Sequence, residues 1–147
     1  MPLTAAQKKF LDRHRIGHLA TADCRGRPHV VPICYACDGS CLYSVLDAKP
    51  KRVPAAKLKR LRNIQDNPRV AVVIDEYDED WTRLAYTLVH GTATVLSGGE
   101  KHARALRLLR DRYPQYRAMP LEGCPVIRIT IERAVSWNAL DREWRQR

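Results

Sequence analysis

Short apolar and β-branched runs, each cut off by a break such as Asp38-Gly39 or Asn67-Pro68, set the main constraint on this chain: it must be built largely from short strands. Residues 18–20 start a strand, residues 23–26 turn it, and residues 28–35 return it as a hairpin. The turn at Asp38-Gly39 leads into residues 42–46, so three antiparallel strands are expected in succession. Residues 69–75 read as a fully buried strand, residues 84–96 as a strand bent at Gly91, and residues 126–131 as a closing strand. Helical signals are fewer. Thr4 and Gln7 have the spacing of a capping box ahead of a helix that buries Phe10 and Leu11 and ends near His14 and Gly17. A second helix opened by Pro54 carries Leu58, Leu61 and Ile64, and a third spans 99–113 with Ala103, Leu106 and Leu109. Many strands with few flanking helices predict a mainly β, α+β chain closed as a small barrel.

Length bounds the organisation. With 147 residues, no linker and no internal repeat, residues 1–147 are read as a single domain large enough to bury a core without disulfides. No apolar run approaches the roughly 20 residues that span a bilayer. Residues 1–15 are polar and charged where a secretory leader would be apolar, so a cytoplasmic location is expected.

The strongest chemical signal lies between Asp47 and Asp66, where Lys49, Lys51, Arg52, Lys57, Lys59, Arg60 and Arg62 occur with no acid among them. A strand end, a stiff Lys-Pro-Lys-Arg loop and a helix start converge several cations and free N–H groups, which is the chemistry of a phosphate site. The competing reading is a solvated helix face, but Lys49, Lys51 and Arg52 precede the apolar helical pattern and are poorly explained that way.

The net charge of +10 would also suit a nucleic-acid binder, yet there is a single Phe and no zinc-finger or RNA-recognition pattern. The five cysteines, Cys24, Cys34, Cys37, Cys41 and Cys124, are odd in number, and Cys34 to Cys41 flank a hairpin turn; they read as small hydrophobes, with no metal site. Neither GxGxxG nor GxxxxGK[ST] occurs, which argues against a Rossmann dehydrogenase or a P-loop nucleotidase. The acidic stretch from Asp75 to Asp80 lacks the turn glycine of a calcium loop.

TADCRGRPHVVP from Thr21, LYSVLDAKPKR from Leu42, LRNIQDNPRVAVVID from Leu61 and Asp80-Trp81 follow one another as in the pyridoxamine 5'-phosphate oxidase-like family, and the resemblance covers residues 10–137. It is closest to the branch thought to use the deazaflavin coenzyme F420 in place of FMN. The resemblance implies an FMN-binding-like split β-barrel, a homodimer with the cofactor at its interface, and an oxidoreductase that exchanges hydride with a small conjugated substrate. It assigns His29, Val30, Val31 and Pro32 to the ring system, and Ser44, Lys49, Lys51, Arg52, Lys57 and Arg60 to the anionic tail. Trp81 matches an aromatic brought from the partner subunit. Tyr86 and His29 are candidate proton donors, but no catalytic side chain is assigned, because the cofactor itself supplies the reactive atom. Residues 141–147 lack the Arg-rich substrate signature of the vitamin B6 oxidases. The alternatives on the same fold are an FMN-dependent oxidoreductase of this family and a non-enzymatic cofactor carrier.

Overall fold

The computed structural model describes residues 3–47 and 58–139. Helix α1 (Ala5–Arg13) opens on the expected capping box: the Gln7 N–H donates to Thr4 Oγ1 at 3.1 Å and the Thr4 N–H donates to Gln7 Oε1 at 3.0 Å. Strands β1 (Gly17–Ala22) and β2 (Pro28–Ile33) form the first hairpin. Its turn is held by Asp23, whose carboxylate accepts the N–H groups of Arg25 at 2.9 Å and Arg27 at 3.0 Å and the Arg27 Nε–H at 2.7 Å. Gly26 supplies the left-handed backbone (φ 78°) that the turn requires. Strands β3 (Ala36–Cys37) and β4 (Cys41–Val45) form a second hairpin, where Asp38 Oδ1 accepts from the Ser40 and Cys41 N–H groups. Then come α2 (Lys59–Asp66), β5 (Arg69–Glu76), β6 (Ala85–Leu96), α3 (Glu100–Arg112) and β7 (Val126–Asn138), with short 3-10 turns at Trp81–Arg83 and Pro114–Ala118.

All seven strands lie in one antiparallel sheet, in the order β2-β1-β5-β6-β7-β4-β3. Strands β2 and β3 stand at opposite ends of that order, yet only Cys34 and Tyr35 join them. Such a link reaches roughly 11 Å, whereas the ends of a flat sheet of this size lie about 29 Å apart, so the sheet has to curl until its edges meet. The result is a split barrel with a seam between β2 and the β3–β4 hairpin. Tyr35 pins the seam. It is fully buried, its hydroxyl donates to Leu11 O at 2.6 Å, and its N–H donates to Tyr113 Oη at 3.0 Å. Arg112 Nε donates to Tyr35 O at 2.8 Å, and the same guanidinium donates to the carbonyls of Leu11 and Asp12 in α1 and of His14 just after it.

Several expectations need correction. Strand β4 does not extend the β1–β2 sheet as a third neighbour; it pairs with β3 and with the first half of β7. Strand β5 is not buried on both faces: Val70, Val72 and Ile74 enter the core while Ala71 and Val73 are half-buried. Helix α2 starts at Lys59, after an extended Leu58, and the Pro54 expected to open it lies outside the described residues. In α3 the buried positions are His102, Ala105, Leu106 and Leu109, with Ala103 only half-buried. Strand β7 runs on to Asn138, past the expected end at Ile131, because its second half pairs with the first half of β6. The bend in β6 is real, with a bulge at His90/Gly91 where a Cβ on Gly91 would collide with the carbonyl oxygen of Thr130.

Two apolar clusters follow from the curl. Leu19, Val72, Val89, Ile127 and Ile129 fill the barrel with Leu11 of α1 and Leu61 and Ile64 of α2. Tyr43 and Val45 of β4 pack outside it against Leu106 and Leu109 of α3.

Candidate functional site

A cleft of about 280 Å³ lies where the seam of the barrel opens. Pro32 and Ile33 line it from β2, and Ser44, Val45 and Asp47 from the end of β4. Arg60, in the first turn of α2, and Tyr116, in the second 3-10 turn, close it. The Arg60 Nε is buried and has no hydrogen-bond partner among the described residues. Burial pushes the guanidinium pKa down, and the neighbouring Asp47 charge opposes that shift. Leaving a buried cationic N–H unsatisfied costs on the order of 1–3 kcal/mol or more, and an anion seated in the cleft would recover it. The residues present therefore fit a phosphate.

Tyr116 is 4% exposed, its hydroxyl lies 3.5 Å from Asp47 Oδ2, and burial raises its pKa well above the usual phenol value. Its ring meets Tyr113 edge-on at 5.5 Å, so the Tyr113–Tyr35 contacts that close the seam also fix this wall of the cleft.

Of the residues assigned from sequence, the cleft gathers Pro32, Ser44 and Arg60. His29, Val30 and Val31 sit further along β2, an edge strand of the sheet, and do not line the cleft. Val30 is 60% exposed, Val31 packs on the core, and His29 Nδ1 is buried without a partner among the described residues. Lys49, Lys51, Arg52 and Lys57 lie outside the described residues. Lys59 turns the other way, its Nζ 3.6 Å from the Asp23 carboxylate. Trp81 opens the first 3-10 turn on an Asp80 cap and is 68% exposed, so it is no core residue. Tyr86 stacks on Trp137, with ring centroids 5.6 Å apart and an 18° interplanar angle. Burial pushes the Cys37 thiol up to about 11, consistent with a hydrophobe-like role, whereas Cys34 lines the cleft. Sequence reasoning missed Asp47, Tyr116 and Cys34 as cleft residues. Asp47 lies two residues past the strand whose Ser44 was assigned, so proximity in sequence could have found it; Tyr116, in a short 3-10 turn, carries no periodic signal.

Comparison with known proteins agrees with this fold. The family described as pyridoxamine 5'-phosphate oxidase matches residues 3–138. A curated relative, the 5a,11a-dehydrotetracycline/5a,11a-dehydrooxytetracycline reductase of Streptomyces rimosus, is 29% identical over 105 residues, 71% of each chain. Among solved structures, a FAD-binding protein from Mesorhizobium loti is 26% identical with a TM-score of 0.66, covering 92% of this chain and 93% of that one. A conserved hypothetical protein from Mycobacterium tuberculosis shares the fold, with a TM-score of 0.75 at 23% identity over 94% of this chain and 86% of its own. The family match spans nearly the whole sheet and both walls of the seam: this chain belongs to the pyridoxamine 5'-phosphate oxidase family of flavin-binding split barrels.

Proposed function

We propose that the protein is an FMN-dependent oxidoreductase that reduces or oxidises a small conjugated organic substrate. The observation that carries this reading is the buried Nε of Arg60, without a partner among the described residues, in a cleft lined by Ser44 at the barrel seam. Arg60 and Ser44 hold the phosphate in this reading, Lys49, Lys51, Arg52 and Lys57 complete its counter-charge, and the exposed edge of β2 with Val30 and Pro32 runs beside the ring. When bound, the flavin supplies the hydride chemistry, and the protein's part is to orient it and exclude water. The Streptomyces rimosus relative, a reductase of a dehydrotetracycline, supports a conjugated acceptor of that general kind.

Coenzyme F420 is the second reading, favoured by a run of cations from Lys49 to Arg62 that outnumbers the charges of one phosphate. F420 carries a phosphodiester and a polyglutamate tail, so its binding would draw on more of these cations and fall more steeply with salt.

Dimerisation belongs to the same proposal. On the outer face of the sheet Val30 lies beside Ala20, Ala20 beside Ala71, Val73 beside Leu88, and Leu88 beside Val135. These side chains are half-buried or exposed in the single chain, and a second copy covering them would bring the exposed Trp81 toward its neighbour's cofactor.

Parallel titration of the cofactor-free protein with FMN and F420 tests the reading. FMN is expected to bind one per chain, and Arg60→Ala to weaken it by about 1.5–3 kcal/mol, the range for hydrogen bonds to charged groups. Equal FMN affinity for the parent, Arg60→Ala and Lys51→Ala/Arg52→Ala proteins at low salt would exclude the phosphate assignment.

A further inference from the structure

The seam cleft holds an acid as well as a cation. Among the described residues that line it, Arg60 is the one cation and Asp47 the one carboxylate. Asp47 is 7% exposed, and its charge opposes the lowering that burial imposes on the Arg60 guanidinium. The Tyr116 hydroxyl lies 3.5 Å from Asp47 Oδ2, and burial raises that phenol well above its usual value, so Tyr116 can donate to the carboxylate but brings no charge of its own. Ser44 adds a hydroxyl and Cys34 a thiol, and the rest of the lining is apolar.

A carboxylate beside a bound phosphate repels it, and the repulsion grows in proportion to the charge the phosphate carries. In a cleft with apolar walls that repulsion is screened less than at an open surface. A phosphate monoester such as that of FMN has a second pKa of about 6, so it enters with nearly two negative charges at pH 8 and nearer one at pH 5. A phosphodiester carries one charge throughout. With Arg60 drawing the phosphate in and Asp47 opposing each further charge, the pair suits one negative charge better than two.

We propose that Asp47 sets the charge selectivity of the seam cleft, opposing the second negative charge of a phosphate monoester and so shifting the preference of the cleft toward a singly charged phosphodiester. This rests on the reading of the cleft as a phosphate site and holds whichever flavin-type cofactor occupies it.

Quenching of flavin fluorescence gives the affinity of the full chain for FMN, for its phosphate methyl ester, which is a diester, and for riboflavin, which has no phosphate. Asp47→Asn is expected to tighten FMN about tenfold at pH 8 and the methyl ester about threefold, the relation that a doubled charge gives when repulsion is proportional to charge. Riboflavin should be unchanged, and at pH 5 the gain for FMN should fall to that of the ester. Asp47→Ser should repeat this pattern and Asp47→Glu should keep the selectivity of the parent, with circular dichroism unchanged. Equal changes for all three ligands, or a gain for FMN that is the same at both pH values, would overturn the proposal, because Asp47 would then only shape the cleft. Arg60→Ala should weaken FMN and the ester but not riboflavin. If it changes none of them, the phosphate is not held in this cleft, and the phosphate site and the role of Asp47 fall together. If it acts as expected while neither Asp47→Asn nor Asp47→Ser discriminates between FMN and its ester, the role of Asp47 falls alone.

Discussion

At the scale of single residues, a cation held on a carboxylate, such as Arg27 on Asp23, differs from Arg60, whose buried Nε has no partner among the described residues. Asp23 is nearly fully buried and ringed by donors: the Arg27 main-chain N–H first, then the Arg27 side chain and the Arg25 N–H, together hold its carboxyl down at about 2. Because the folded value lies below that of the unfolded chain, its stabilisation is complete at neutral pH and is lost as pH falls from about 4 toward 2. Urea unfolding should find Asp23→Asn less stable than the parent at pH 7, with the gap narrowing through that acid window. A gap that stayed constant down to pH 2 would show that the turn does not depend on ionisation. Arg60 was legible from sequence because a cation-rich run without acids is conspicuous. Its partner wall was not: Tyr116 becomes part of the cleft only through the packing of its turn against Tyr113.

At the scale of elements, local chemistry was the better guide. The α1 capping box, both Asp-turn hairpins and the bend at Gly91 follow from residue types at fixed spacings, and each is found where that spacing put it. Strand neighbours were not legible, since a run such as residues 41–45 has the same pattern whether it pairs with β2 or β7. The start of α2 slipped for a related reason: Pro54 is a good first-turn residue, but the extended backbone at Leu58 sets the start at Lys59. Gly91 offers a direct check. The obstacle to a Cβ there is a carbonyl of the neighbouring strand, which cannot rotate away, so Gly91→Ala should cost about 1–3 kcal/mol in denaturant unfolding. A neutral result would mean that the bulge tolerates widening.

At the scale of the whole molecule, the sheet has one face turned into the barrel and an outer face that α3 covers over β3, β4 and the start of β7. On the uncovered part, Val73→Glu would place a charge among Leu88, His18 and their neighbours. Light scattering is expected to find the parent as a dimer and this variant as a monomer, with weaker FMN binding in the variant. A monomeric parent that still binds FMN would remove the dimer from the reading while leaving the seam cleft intact.

The position of β4 in the sheet has a consequence for how the chain acquires its activity. Cys41 pairs with Thr130, 89 residues later in the sequence, so one wall of the cleft has no full set of strand partners until the last strand has been made. Contacts of such separation form slowly because a long loop must close first. On the ribosome, the β1–β2 hairpin and α1 can settle early, whereas the cleft between Pro32 and Ser44 awaits nearly the whole chain. If the cleft takes up a flavin as proposed, that capacity is acquired late in synthesis, and a chain cut short before β7 would leave β4 with only the two-residue β3 as a neighbour.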